Sequence, residues 1–319
     1  MTKKKVFITI GLSFFTVMLA IGAYGFYIYK NVEDTVRTMH VTIEREKSEK
    51  REIVVDISQK DPLSFLLMGV DTDGTERGRT DTLMVITVNP NEESMKMVSI
   101  PRDTYTEIVG RGTHDKINHA YAFGGPDMAI RTVENYLNIP IDYFATVNMA
   151  GFKDIVDALG GVTVNNDFAF RQSGHRFEEG EIFLNGDQAL AYARMRKSDS
   201  RGDLGRNDRQ RQIVSAIIEE GAQVSSVTRT GEILSSLENN ITTNLEFSDI
   251  MQITQNYHTA RKNATTLEFS GRGGGRQNGI WYLFVPEEER LDVSNQLRAH
   301  LGLDADSTSV AKADDNDDE

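Results

Sequence analysis

The runs SFLLMGV at 64–70, TLMVITV at 82–88 and MKMVSI at 95–100 decide the fold. Each is short and dominated by apolar side chains, the pattern of a buried strand. The second and third are joined at Asn89-Pro90-Asn91, a turn signal, and Pro101 stops the third just before Arg102-Asp103. Downstream, helical spacing is expected over 126–137, 152–159, 185–196, 206–224, 247–261 and 286–301. Strands are expected over 143–147, 162–164, 266–270 and 280–285, and the glycine-rich GRGGGR at 271–276 reads as a flexible inter-strand loop. Strands alternating with helices define an α/β domain, a central mixed β-sheet between helical layers, expected over 61–303.

Upstream of this domain, Lys3, Lys4 and Lys5 precede an uncharged apolar run at 6–29, with Tyr24, Tyr27 and Tyr29 at its far end. A helix of that length reaches about 36 Å, enough to cross a bilayer. A cleaved signal peptide would have a shorter apolar core. The run therefore reads as an uncleaved transmembrane anchor, with residues 1–5 in the cytoplasm and everything after Lys30 outside the cell membrane. Residues 30–60, rich in both charge signs, read as an extracellular stalk. Residues 304–319 carry seven acids and one lysine, −6 of the chain's net −13, and are expected to be a disordered acidic tail. Cysteine is absent from the 319 residues, which removes disulfides, thiolate nucleophiles and Cys-type zinc sites.

Against this acidic background one stretch is basic. Arg194, Arg196, Lys197, Arg201, Arg206, Arg209 and Arg211 fall within eighteen residues. Arginine's planar fork suits phosphate oxygens, so the stretch is either a grip for a phosphorylated ligand or a solvated charge run. A nucleic-acid partner does not fit so acidic a chain with a single basic cluster.

Asp71 ends the first strand and Arg102 follows the third, so both are expected at the carboxyl end of the sheet, where ligands of open α/β sheets collect. Asp71 and Asp81 bracket the loop DTDGTERGRT, which also holds Arg79. Two carboxylates completed by water and phosphate oxygens can hold magnesium, and aspartates in such a loop can equally be turn formers. In the helix beginning near 206, Arg206 and Gln210 share a stripe with Ile213, Val214, Ile217 and Ile218 and so point inward. An inward charge in the first helical turn needs a counter-charge, either a bound pyrophosphate or an internal partner such as Asp203 or Asp208. Arg209 and Arg211, off the stripe, are expected to face solvent or serve the structure. The histidines show no H-E-x-x-H spacing, and no Walker or nucleophile-elbow motif occurs. Asp103 is read as an ion-paired structural aspartate, with general base as its other role.

The motifs LLMGVD (66–71), GRTDTLMVITVNP (78–90), MVSIPRDTY (97–105), HDKINHAYAFGG (114–125), ALGGVTV (158–164), LNGDQALAYARMRKSD (184–199) and GDLGRNDRQRQ (202–212) together resemble the LytR-CpsA-Psr family. That resemblance implies a transferase that moves an anionic glycopolymer, typically wall teichoic acid, from an undecaprenyl-pyrophosphate carrier to peptidoglycan. The bond formed is a phosphodiester to the 6-hydroxyl of N-acetylmuramic acid. It further implies magnesium, with manganese as an alternative, on Asp71 and Asp81. The pyrophosphate falls to Arg79, Arg102, Arg196, Arg206 and Gln210, with Arg196 preferred over Arg194 and Arg201. Arg102, Asp71 and Asp81 then form the catalytic set, and the carrier lipid lies in an apolar tunnel beside the sheet. A hydrolase that lets water attack the same lipid pyrophosphate, or a non-enzymatic envelope regulator, are the competing readings.

Overall fold

The computed structural model describes residues 30, 33–43, 45, 47–71, 78–221 and 240–306. The three apolar runs form β1 (Leu63–Val70), β2 (Thr80–Asn89) and β3 (Ser94–Ser99), paired antiparallel in sequence order. Two hairpin strands follow, β4 (Tyr105–Ile108) and β5 (Thr113–Lys116), then helix α1 (His119–Leu137). Next come β6 (Tyr143–Asn148), α2 (Met149–Ala158) and the strands β7 (Val162–Asn166), β8 (Phe170–Gln172), β9 (His175–Phe177) and β10 (Gly180–Leu184). Helices α3 (Gly186–Arg194) and α4 (Asp203–Gly221) complete the middle of the chain. The last part holds β11 (Ile241–Thr243), α5 (Phe247–Asn256), β12 (Asn263–Leu267), β13 (Gly274–Gln277), β14 (Ile280–Leu283) and α6 (Glu287–His300).

The central sheet runs β11-β6-β1-β2-β3-β12. It is mixed: β6 and β12 run parallel to β1 and β3, and the remaining pairs are antiparallel. Successive side chains leave opposite faces of a strand, and both faces here are covered. Leu66, Met68, Leu83, Val85, Val98 and Ile100 meet Ile130, Val133 and Leu137 of α1 and Val293 and Leu297 of α6. Phe65, Leu67, Met84, Ile86, Met95 and Met97 lie on the other face against Val214 and Ile218 of α4. This two-sided burial explains why the strands read as near-continuous apolar runs. A fully buried Leu or Ile contributes about 1.5–3 kcal/mol, so the sheet core dominates the stability. Ile213 and Ile217 of α4 join a separate cluster with Val162, Phe170, Phe177 and Tyr192, so the apolar stripe of α4 serves two cores.

Several expected boundaries shift. Residues expected as a stalk over 30–60 pack on the domain: Val36, Met39 and Ile57 are buried, and Val41 N–H donates to the Thr243 carbonyl at 2.8 Å. Arg45 pairs with Glu134 at 2.5 Å and Arg51 with Asp142 at 3.0 Å, pinning this segment to the folded body before residue 61. At the other end, Asp306, expected within the tail, is tied to α6 by its N–H donating to Asn295 Oδ1 at 2.7 Å, and the rest of the expected tail, 307–319, lies outside the described residues. The helix expected from Pro126 starts earlier, at His119, and breaks at Gly124–Gly125 just before that proline. The stretch expected as a flexible loop at 271–276 contributes β13, paired with β14. The anchor expected at 6–29 lies outside the described residues. Among the described residues no helix is long and apolar enough to cross a membrane.

Candidate active site

Strand direction brings the expected site residues to one end of the sheet. Asp71 follows β1, and its N–H donates to the Arg79 carbonyl at 3.1 Å. Asp81 is the second residue of β2. Because β3 runs antiparallel to β2, its last turn returns to the same end, where Ile100 N–H donates to the Leu83 carbonyl at 2.8 Å and Arg102 follows. Helix α4 delivers its first turn to this place from the other side of the chain.

A charge network forms there around Asp203. Asp203 Oδ1 lies 2.8 Å from Arg196 Nε and 3.4 Å from an Arg206 terminal nitrogen, and Oδ2 lies 3.8 Å from Arg102 Nε. Arg102 donates to Asp81 Oδ1 at 2.7 Å and sits 3.7 Å from Asp103. Asp103 in turn accepts from Lys116 Nζ at 2.6 Å, the ion-paired structural role expected of it. Once that pair is set aside, the carboxylates paired with Arg102, Arg196 and Arg206 among the described residues are Asp81 and Asp203, three guanidinium groups on two acids. The Nε–H groups of Arg102 and Arg206 and Gln210 Oε1 are buried without a hydrogen-bond partner. Buried polar atoms without partners are uncommon in native proteins and ask for a ligand or water.

The two central arginines respond oppositely to this setting. Burial pushes the Arg206 guanidinium down, Arg102 and Arg196 push the same way, and Asp203 and Asp81 only partly oppose them. For Arg102 burial also lowers the pKa, but the Asp81 hydrogen bond and the charges of Asp81, Asp203 and Asp103 outweigh it and raise it. Of these two, Arg206 is the less compensated by its neighbours.

The other arginines of the stretch part company with this cluster. Arg201 binds Asp199, Asp208 at 2.5 Å and Asp167 at 3.7 Å. Arg194 is exposed, 3.3 Å from Met149 Sδ. Of Arg194, Arg196 and Arg201, only Arg196 joins Arg102 and Arg206. Arg209 and Arg211 are buried and structural, neither facing solvent. Arg209 donates to Asp199 Oδ2 and to the Met195 carbonyl, both at 2.7 Å, and Arg211 pairs with Asp208 and Glu268. Gly205 makes the first of these possible, since a Cβ there would fall 1.8 Å from Asp199 Oδ2. The Arg79 side chain remains exposed at the strand end.

Asp203, one of the two internal partners expected for Arg206, does pair with it, and the structure adds Arg196 and Arg102 around the same carboxylate. The signal for that pair was an acid three residues before an inward arginine, inside a basic stretch. As for a cation, Asp81 commits one oxygen to Arg102, and Asp71 stands beside it at the adjoining strand end. Two carboxylates with phosphate oxygens and water form an all-oxygen donor set suited to a hard divalent ion. Among the described residues no group of three or more His, Asp or Glu side chains gathers for a metal. A cavity of about 580 Å³ on the other flank of α4, lined by Asp208, Glu219, Glu220 and Glu268 among others, is too acidic for a pyrophosphate and shares no residue with this cluster.

The α/β sheet thus gathers Arg102, Arg196 and Arg206 around Asp81 and Asp203 at its strand ends. The chain belongs to the LytR-CpsA-Psr family, whose model matches residues 26–299. It is 56% identical over 303 residues to a polyisoprenyl-teichoic acid–peptidoglycan teichoic acid transferase, TagU, of Halalkalibacterium halodurans, covering 94% of this chain and 99% of that one. The crystal structure of B. subtilis TagU superposes with a TM-score of 0.62 at 49% identity, covering 76% of this chain and 97% of that one. TagT bound to LIIa-WTA superposes with a TM-score of 0.71 at 33% identity, covering 83% and 100%.

Proposed function

We propose that the protein transfers teichoic acid from a polyisoprenyl carrier to peptidoglycan, as its relatives' names state of them, and that the polymer is the anionic wall teichoic acid and the carrier linkage a pyrophosphate. The observation that carries this reading is the convergence of Arg102, Arg196 and Arg206 on Asp203, with the Nε–H groups of Arg102 and Arg206 buried and without an acceptor. An exposed arginine cluster would be satisfied by water, whereas this one is partly buried and, among the described residues, sets three guanidinium groups against two carboxylates. A pyrophosphate would supply further negative charge.

Transfer of this kind asks for alignment and charge neutralisation more than for covalent catalysis. Arg102, Arg196 and Arg206 would bind the two phosphates, Gln210 would orient them, and Arg79 would reach in from the strand end. An acceptor hydroxyl of N-acetylmuramic acid attacks the phosphorus next to the polymer. The bond to the carrier phosphate breaks, and the lipid phosphate leaves, taking up the proton that the hydroxyl gives up. Asp71 and Asp81 would hold a magnesium ion, or manganese, which supplies further neutralisation of the phosphate oxygens when bound.

The carrier's tail needs an apolar path that begins where the phosphates end. Helix α4 continues from Arg206 and Gln210 to Val214 and Ile218, at successive i+4 steps, facing half-buried Phe65 and Leu67 of the sheet. That face is our candidate for the lipid slot. A single anchor at 6–29, with the N-terminus in the cytoplasm, would keep the domain on the outer face of the cell membrane near both substrates.

The test is transfer by the purified full chain from a lipid-linked donor to peptidoglycan oligomers. Transfer should need a divalent ion and should vanish in Arg102→Ala with the fold retained. Full activity in that variant would sink the site, and release of free polymer without transfer would mark a hydrolase.

A further inference from the structure

Two hairpins that flank Arg102 carry aromatic rings for which phosphate transfer has no use. β4–β5 and β13–β14 are joined by a parallel bridge between Thr104 and Leu283, and Leu283 N–H donates to the Asp103 carbonyl at 2.9 Å. Tyr105 stands at the centre. Its ring stacks on His114 at 5.4 Å and 26°, meets Tyr282 edge-on at 5.1 Å and lies 5.1 Å from Phe284. Tyr282 is the buried floor of the group, while Phe284 is 36% exposed and His114 is exposed.

Rings that served only to hold the hairpins together would be closed in, as Tyr282 is. Phe284 and His114 are instead left open beside a charged fringe. Lys116 Nζ lies 5.9 Å from the Tyr282 ring centroid while bound to Asp103, and the Tyr282 hydroxyl donates to Asp115 at 3.4 Å. Open ring faces edged by charged and hydrogen-bonding groups match a sugar, whose C–H face packs on a ring while its hydroxyl, amide and carboxylate groups reach the fringe. A bilayer matches less well, because the hairpin tip is Gln277-Asn278-Gly279 and the Asp115 carboxylate would be costly in hydrocarbon.

We infer that Tyr105, His114 and Phe284 form the acceptor subsite, a platform that seats an amino-sugar glycan strand so that one of its hydroxyls faces the phosphate at Arg102. Tyr105 lies three positions after Arg102, at most about 10 Å along the chain, and the turn closed by Thr104 N–H on the Pro101 carbonyl at 3.0 Å draws them closer, so a strand on the platform lies beside the reacting phosphorus. The identity of the strand as peptidoglycan rests on the transferase reading above, while the platform rests on its own geometry.

Full-length protein reconstituted in vesicles provides the test, with soluble uncross-linked peptidoglycan strands as probe. Phe284→Leu keeps apolar volume but removes the ring, and His114→Ala removes the stacked partner of Tyr105. Each should raise the strand concentration for half-maximal transfer about tenfold and weaken co-sedimentation with strands to match. The donor concentration dependence should stay unchanged, and Phe284→Tyr should restore the wild-type value. Wild-type strand dependence in both Phe284→Leu and His114→Ala would overturn the inference. So would strong quenching of Trp281, the chain's single tryptophan and a residue of the same hairpin, by brominated lipids, which would place the hairpin in the bilayer. If the wild type only hydrolyses donor, the transferase reading falls, and the co-sedimentation of the variants still decides the platform.

Discussion

The guanidinium of Arg102 donates to the Asp81 carboxylate across 2.7 Å, tying the residue expected to grip phosphate to the one expected to hold a cation. Each is thereby pre-positioned by the other at the sheet end. Both side chains are partly exposed, so their pair contributes little to folding, within about 1 kcal/mol. Asp81→Asn should accordingly melt close to the wild type while transfer falls at least about 100-fold, the scale of losing one electrostatic group from a charged transition state. Thermal melting and the transfer assay check the two halves, and a large stability loss with transfer intact would reverse the assignment.

Arg206 offers the opposite balance. Burial and two neighbouring arginines work against its charge, with Asp203 as its nearest counter-ion. Arg206→Met keeps the packing volume and removes the charge. It should raise the melting temperature measured without added donor and weaken donor binding, since a poorly compensated buried charge costs stability. A drop of several degrees would show that the Asp203 pair is structural.

Arg209 should behave in the contrary way. Its partner Asp199 is buried, and removing one member of a buried pair costs about 3–5 kcal/mol because the other is left uncompensated. Burial raises the Asp199 pKa, but the hydrogen bonds from Arg209 and Arg201 outweigh this and hold it at about 2. Since the folded value lies below the ordinary 3.8, the stability it confers is complete above 3.8 and is lost as the pH falls toward 2. Arg209→Ala should therefore lower the melting temperature at neutral pH and flatten the acid limb of the stability curve over that window. Gly205→Ala, which would drive a methyl group into Asp199, should do much the same.

His300 sets a second pH limit. It lies buried between the Thr87 hydroxyl at 2.7 Å and the Ser94 hydroxyl at 2.8 Å, tying α6 to β2 and β3. Burial, aided by Lys96, pushes its pKa below the ordinary 6.5 against the pull of Glu92. A lowered value means that the unfolded chain binds the proton more tightly, so this stability is present above pH 6.5 and declines as the pH drops below it. Melting temperatures of wild type and His300→Gln, compared from pH 7.5 to 5, should converge toward acid as the wild type loses its advantage. Parallel curves would refute a role for His300.

The sheet was legible because burial on both faces left Leu66 to Val70 and Leu83 to Val88 almost free of polar residues. The β4–β5 hairpin was not, since Tyr105–Ile108 and Thr113–Lys116 are short, polar strands set by turn geometry and by contact with β14. Arg206 and Gln210 could be read from the apolar stripe of α4. Arg209 was open to misreading as solvent-facing by the same rule, because a stripe assumes one covered side. The first turns of α4 are enclosed on several sides, and Asn207, Arg209 and Arg211 are buried there alongside Arg206. Asp203 as the meeting point of three arginines depends on β3 and the loop after α3 arriving together, which no local pattern encodes.

The course of α4 has one more consequence. Between Arg206 and Val214 the helix advances about 12 Å, from a charged end to an apolar one, as a single rigid rod. A sugar nucleotide would engage only the first of these, and a free polyprenol only the second. On the proposed reading, selection would work as coincidence detection, a donor being retained when pyrophosphate and hydrocarbon occur in one molecule at the spacing of the rod.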